Sequence, residues 1–317
     1  MVLKNSIGIL SSKFSLVYKI IIFMLIILLL FTALGFSIIY PTINKPMHEI
    51  GELKMFTSIK DGFVSFFSGD LELQETSFAT IKSNWQELDN IFDKYGAKFA
   101  IAIAVLVVLL FLCVFVLSLS FITNSDIIYN YMTSKSNYGF ASNMLANIKR
   151  SAIFALFYML FMLCFMAIMA ISVTILVYAL YGWLSYFCLP FIYLAIVLIF
   201  SIQKALFSNW IPLIICENMT VVQALKENRK LLKRDFKHNL MHYFIYYVIS
   251  LSFISAFGLF SFGIGFVIGF AIHIVIFQIL PLVIYFENNH KRYYINNFKV
   301  VEPHIDNLIL ENKTENK

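Results

Sequence analysis

Six long apolar runs dominate this sequence, at residues 17–40, 99–123, 152–180, 184–207, 243–263 and 266–286. Each supplies roughly the 20 residues that an α-helix needs to cross a hydrocarbon layer of ~30 Å. Asp, Glu, Lys and Arg are missing from their cores, and Lys19 stands near the mouth of the first run, where its stem can snorkel to the membrane edge. In lipid only helices and closed barrels satisfy every backbone N–H and C=O. A barrel strand alternates apolar and polar residues, and these runs do not. The expected fold class is all-α: a polytopic membrane protein with six transmembrane helices and an extracytoplasmic helical hairpin.

Charge orients the path. Segment 41–98 holds 6 basic and 9 acidic residues, whereas the rest of the chain holds 18 of the 24 Lys and Arg against 9 of the 18 acids. By the positive-inside rule, both termini, 124–150, 208–242 and 287–317 are expected in the cytoplasm and 41–98 outside. The expected location is the cytoplasmic membrane, multi-pass. The net charge of +6 is thereby accounted for without a nucleic-acid partner. Segment 41–98 is shorter than the ~100 residues typical of a separate catalytic domain. The first run extends through Phe36-Ser37-Ile38-Ile39-Tyr40, too long for a signal-peptide core, so it reads as an uncleaved anchor. Cys113, Cys164, Cys188 and Cys216 all lie in or beside apolar helices, as buried small hydrophobes do.

Four regions follow. Residues 1–16 read as an interfacial helix with Leu3, Ile7, Leu10 and Phe14 on one face. Residues 17–123 hold two membrane helices and the hairpin 41–98, with Pro41 and Pro46 marking the exit from the first span. In the second arm Phe78, Ile81, Trp85, Leu88, Phe92, Tyr95 and Phe99 recur in steps of three and four, a heptad seam. The first arm offers Met47, Ile50, Leu53, Phe56, Ile59, Phe63 and Phe66, broken by Ser68-Gly69-Asp70. The two arms stand as an antiparallel hairpin or lie flat on the outer leaflet. Residues 124–286 form a four-helix membrane region with turns expected at Tyr181-Gly182-Trp183 and Ser261-Phe262-Gly263-Ile264-Gly265. In that region the fourth helix is either long and kinked, or ends near Leu206 ahead of a short interfacial piece, with a break at Pro212. The polar cytoplasmic tail, 287–317, is expected to fray after Pro303.

The most structured cytoplasmic feature is a helix at 220–238. Thr220-Val221-Val222-Gln223 has capping-box form. Val221, Leu225, Leu232, Phe236 and Leu240 make an apolar face, and Lys226, Lys230, Lys233, Arg234 and Lys237 gather opposite. Such a helix lies at the headgroups and binds anionic lipid, each basic residue contributing about 1 kcal/mol. Its alternative use is to dock a cytoplasmic or membrane protein partner.

The stretch Trp210-Ile211-Pro212-Leu213-Ile214-Ile215-Cys216-Glu217-Asn218, followed by Ala224-Leu225-Lys226-Glu227-Asn228-Arg229-Lys230-Leu231-Leu232, carries a resemblance. A Pro-apolar-Glu step ends a membrane helix and an Ala-Leu-x-x-Asn amphipathic helix follows. This resembles bacterial multi-helix envelope proteins related to the membrane domain of glycerophosphoryl diester phosphodiesterases, over about 203–250. The resemblance implies a six-helix-like, non-catalytic membrane module.

No soluble barrel with metal-binding carboxylates accompanies it, and H-E-x-x-H, P-loop, G-x-S-x-G and Cys-x-x-Cys motifs do not occur. No cofactor or metal is expected. Met159, Met162, Met166 and Met169 read as apolar filler rather than Cu(I) ligands. Within the membrane the polar candidates are His273 and Gln278, with Ser250, Ser252 and Ser255 on the preceding span. An intramembrane His is costly unless it meets a partner or water, and the expected role of His273 is a packed interhelical hydrogen bond. Gly265-Phe266-Val267-Ile268-Gly269 permits close helix approach within the last hairpin. The functional expectation is a non-enzymatic envelope protein, transport-associated or lipid-interacting. The competing expectation is a permease subunit that engages an energising partner through 220–238.

Overall fold

The computed structural model describes residues 1–53, 71–134, 139–184, 189–296 and 298–302, with isolated positions at 57, 60 and 61. The helices are α1 (Val2–Ser12), α2 (Ser15–Glu52), α3 (Leu71–Met132), α4 (Phe140–Leu184), α5 (Leu189–Leu206), α6 (Trp210–Cys216), α7 (Val221–Phe260) and α8 (Ile264–Asn288). Among the described residues, six of them are long and apolar enough to cross a membrane. The chain is an all-α, multi-pass membrane protein. Among the described residues the one departure is a short antiparallel hairpin, β1 (Tyr293–Asn296) with β2 (Lys299–Val301), which pairs Tyr293 with Val301 and Asn296 with Lys299. The chain divides into two compact units, residues 1–25 with 114–317, and residues 26–113.

The larger unit is built around α7 and α8, with α5 and α6 packed along α7. On α8 every residue from 278 to 286 is buried. The α7–α8 turn needs its glycines. Gly263 adopts φ +96, a left-handed conformation that L side chains rarely take. A Cβ on Gly265 would lie 2.4 Å from the Phe257 carbonyl oxygen, and one on Gly258 would lie 2.5 Å from the Phe266 ring. A Cβ on Gly269 would lie 3.2 Å from the Ile254 side chain. The Gly265–Gly269 pair therefore serves packing within this chain.

Helix α1 docks on α8 and β1 through Val2, Asn5, Ser6, Ile9 and Leu10. The face read from sequence splits: Leu10 is buried, while Ile7 and Phe14 point away. Asn5 joins the docked face because its Nδ2 donates to the Tyr293 hydroxyl (2.8 Å) and to Glu287 (3.2 Å). The Tyr293 hydroxyl in turn donates to Glu287 at 2.9 Å. Burial, aided by the neighbouring Glu287 carboxylate, pushes the Tyr293 hydroxyl's pKa above its ordinary value.

Several sequence expectations are corrected. Helix α2 runs through Pro41 and Pro46 to Glu52, so the prolines do not interrupt the helix where the apolar run ends. Each proline removes one donor, and the chain tolerates the two bonds lost from the helix ladder. Tyr181-Gly182-Trp183 lies within α4, which extends to Leu184, so the connection falls at 185–188, outside the described residues. Helix α5 ends at Leu206 and α6 follows, so the break precedes Pro212. Pro212 stands in the first turn of α6, where its missing N–H would have no helical partner in any case. The tail after Glu302 lies outside the described residues.

In the smaller unit the seam of α3 is displaced. Ser77, Asn84, Leu88 and Ile91 are buried and Ile81 and Tyr95 half-buried, whereas Trp85 is 58% and Phe92 45% exposed. Two heptad seams share Ile81, Leu88 and Tyr95, and sequence favours the more apolar of them. The structure uses the other because Asn84 Nδ2 donates to the Leu53 carbonyl at 2.9 Å, closing the frayed end of α2. Glu49 ties the two helices again, accepting from Tyr95 (2.7 Å) and Lys94 (3.0 Å). Of the first arm, Met47 is exposed and Ile50 and Leu53 are half-buried. Phe56, Ile59, Phe63, Phe66 and Ser68-Gly69-Asp70 lie outside the described residues, as does the side chain of Phe78.

Candidate functional site

The site begins at the interruption between α5 and α6. Three residues, Phe207-Ser208-Asn209, leave the helix, which frees backbone groups in an apolar setting. Asn228 of α7 repairs them: its Nδ2 donates to the Leu206 carbonyl (2.8 Å) and its Oδ1 accepts from Asn209 N–H (3.2 Å). Trp210 Nε1 donates to the Val221 carbonyl at 3.0 Å, and the Ser208 and Tyr243 hydroxyls lie 3.1 Å apart. The Thr220–Gln223 capping box starts α7 as sequence predicts. Glu217, between α6 and α7, accepts from the Tyr285 hydroxyl (2.8 Å) and pairs with Lys291. Lys291 first and Tyr285 second hold the Glu217 carboxyl below its ordinary 4.5.

The residues quoted from the 210–232 stretch thus share one structural task. Trp210, Ala224 and Asn228 are buried where α6 crosses α7, and Glu217 fastens the loop to the end of α8. The buried face of α7 runs Val221, Ala224, Asn228, Asp235, Asn239 and Tyr243. Leu225, Leu232, Phe236 and Leu240 are half-buried flanks of it rather than its centre.

Above this repaired break lies a cavity of about 420 Å³, bounded by α2, α3, α4, α5, α6, α7 and α8 within the larger unit. That volume falls in the ~300–1,000 Å³ range of small-molecule pockets. Its walls are mainly aromatic and aliphatic, including Phe121, Phe200, Tyr247 and Phe277. Lys204 is its one Lys or Arg, and Asp and Glu are absent from the described lining. Lys204 stands in the last turn of α5, where the helix dipole favours a cation. Its Nζ donates to the Tyr158 hydroxyl at 3.3 Å and sits 4.2 Å from the Phe277 ring centroid.

Both intramembrane candidates, His273 and Gln278, line this cavity from α8. His273 Nδ1 lies 2.8 Å from the Tyr246 hydroxyl and 2.7 Å from the Ser250 hydroxyl, while its ring stacks on Tyr246. The expected interhelical role of His273 fits this geometry. Ser252 instead approaches Tyr193 (3.3 Å) and Ser255 faces outward, so neither joins the cluster. Gln278 is 2% exposed and its Oε1 has no hydrogen-bond partner among the described residues. Gln203, beside Lys204, donates to the Met162 sulfur at 2.7 Å. Met166 faces outward, so the methionine run does not converge on one point.

The basic residues Lys226, Lys230, Lys233, Arg234 and Lys237 are exposed and lie apart from the cavity. Lys230 pairs with Glu227 (2.7 Å), and Arg234 with the buried Asp235 (2.7 Å). They do not belong to a separate surface helix. Residues 221–257 contain neither Gly nor Pro, and α7 continues unbroken from Val221 into the fifth span. A helix of 40 residues is ~60 Å long, about twice the hydrocarbon thickness, so its charged half extends beyond the apolar layer.

Sequence reasoning gave Lys204 and Tyr246 no role in a site, and it met Asn228 only within the resemblance. A lysine one turn before a proline-marked break was the available signal for Lys204. For Asn228 no periodicity argument would serve, because its partners are backbone atoms of another helix. No protein-family model matches the chain, and no curated protein and no solved structure matches it.

Proposed function

We propose that this chain is a non-enzymatic protein of the cytoplasmic membrane that holds a lipid-like molecule among its helices. The cavity carries this reading: it is apolar over most of its wall, large enough for a small molecule, and enclosed by membrane-spanning helices. His273 has its Nδ1 engaged by two hydroxyls, and among the described residues no carboxylate lines the site to work with it as an acid–base pair. Binding, not turnover, is the chemistry such walls support. By the positive-inside rule, the termini and the charged half of α7 face the cytoplasm, where the exposed lysines meet anionic headgroups. The resemblance of 203–250 to a non-catalytic envelope module agrees with this reading.

The test uses the full chain in lipid vesicles and a photoactivatable long-chain fatty acid. Saturable labelling of peptides bearing Phe200 and Phe277, competed by unlabelled fatty acid, is the expected result. Labelling confined to outward-facing residues such as Ile168 and Ile175, and not competed, would contradict the reading. The exposed lysine stripe favours a second reading, a permease subunit that docks an energising partner. Recovery of a stoichiometric ATPase partner, lost when the five basic residues become Gln, would favour that second reading instead.

A further inference from the structure

We infer that the cavity selects an anionic amphiphile, with Lys204 as the anchor of its charged head and Gln278 as a second head contact. The inference rests on the reading that the cavity holds a lipid-like molecule, and adds the chemical class. A cation in an apolar enclosure is costly unless something compensates it. What Lys204 meets is neutral: the Tyr158 hydroxyl at 3.3 Å and the Phe277 face at 4.2 Å. No ion pair involves Lys204 among the described residues. These partners orient the ammonium and lessen its desolvation, and they leave its charge uncancelled. An anionic group from a ligand cancels it.

Gln278 supplies the independent observation. It is 2% exposed, it lines the cavity, and its side-chain oxygen has no partner among the described residues. Buried amides are hydrogen-bonded in the great majority of cases, so an unspent one on a residue that lines a cavity points to a guest that supplies the bond. The amide presents either a carbonyl or an NH2 after a flip, and so serves a head that donates or accepts. Gln278 follows Phe277 directly on α8, and Phe277 is the ring over which Lys204 sits. The rest of the wall is mainly aromatic and aliphatic, with Ser118, Ser120, Gln203, Ser208 and His273 set among it, and it suits an apolar chain. The same charge argues against a path for cations, which Lys204 would repel. The shared chemistry is a carboxylate or phosphate on an acyl chain, taken either as a free monoacyl anion or from an anionic phospholipid of the bilayer.

The experiment uses the full chain in nanodiscs of phosphatidylcholine. Saturable binding of a radiolabelled long-chain carboxylate is compared with that of the alcohol of the same chain length. The carboxylate is expected to bind at least about tenfold tighter, as a hydrogen bond to a charged group implies. Lys204→Gln should abolish that preference while alcohol binding persists, which also shows that the variant folds. Lys204→Arg should keep most of it, and Gln278→Leu should weaken the carboxylate several-fold. Doping phosphatidylglycerol into the discs separates the sources. Competition with the carboxylate assigns the bilayer lipid, and lack of competition assigns the free monoacyl anion. Equal binding of carboxylate and alcohol, or a preference untouched by Lys204→Gln, would overturn the inference and leave the cavity reading standing. If neither amphiphile bound saturably, the cavity reading itself would fail.

Discussion

The last span and the second span are both long apolar helices, yet they meet different surroundings. In α8, 61% of the apolar window is buried against the protein, whereas in α3 the figure is 6%, although the α3 window is the more apolar. Hydropathy reports whether a segment tolerates hydrocarbon and says little about whether it faces lipid or protein. Lipid tails are as apolar as leucine, so packing between helices must come from fit and polar bonds. Around α8 those bonds are present: Asn5–Tyr293–Glu287, Tyr285–Glu217, Asn288–Asn239 and the Tyr246–His273 pair. In the unit 26–113 the buried contacts are fewer, with Leu88 and Ile91 at 9% and 8% exposure as its best-covered side chains on the α3 seam beside Ser77 and Asn84. Among the described residues, the larger unit holds both the buried apolar cluster and most of these bonds, and the unit 26–113 holds few of either.

Substitutions test that contrast. The largest effect is expected at Trp210, which is 1% exposed and bonded to Val221. Trp210→Ala should cost about 3–5 kcal/mol in denaturant unfolding of the detergent-solubilised chain. Trp85→Ala, at an exposed tryptophan of the other unit, should stay within about 0.5 kcal/mol. Equal losses would erase the distinction between the two regions. Next comes Asn228→Ala, which strands the Leu206 carbonyl and the Asn209 N–H together and should cost about 2–3 kcal/mol. Asn84→Ala, which loses a single bond to Leu53 at the edge of the other unit, should cost about 1 kcal/mol.

A smaller effect reads the register of the α3 seam. Ile91→Ala should destabilise by about 1–2 kcal/mol and expose the unit 26–113 to protease, while Phe92→Ala should change it by less than about 1 kcal/mol, since Ile91 is buried and Phe92 is not. The reverse order would restore the seam through Trp85 and Phe92. The smallest effect is pH-dependent. Glu217 is held below its ordinary 4.5, so the stability it contributes is present above that value and is lost as pH falls through the lower folded pKa. Thermal melts of Glu217→Gln should therefore lie below the wild type near neutral pH and converge with it in acid. Parallel curves across that window would show that the Lys291 and Tyr285 contacts do not stabilise the chain.

Much of the fold was legible from the apolar runs, and the reasons for the rest are physical. The six spans, the capping box at Thr220 and the tight turn at Gly263 follow from local rules that need no partner. The hairpin at Tyr293–Asn296 and Lys299–Val301 was hidden in a polar tail, although Tyr293 and Ile295 alternate with less buried neighbours as strand residues do. The α3 seam slipped because two registers share Ile81, Leu88 and Tyr95, and only the bond from Asn84 to a distant carbonyl chooses between them. Likewise, the sequence does not show what Asn228 does, because its partners are backbone atoms at a break in another helix. Of the site, His273 and Gln278 were visible as costly residues in apolar runs. Lys204 was not, since a cation near the end of a span reads as one that snorkels outward.

A density map of the full chain reconstituted in its native lipids, at side-chain resolution, tests the central claim most directly. The account predicts elongated density inside the cavity between α5 and α8, with its widest end in contact with the Lys204 ammonium and within hydrogen-bond reach of Gln278. An unfilled cavity, or one closed by Lys204 swinging out to the membrane edge, would contradict it.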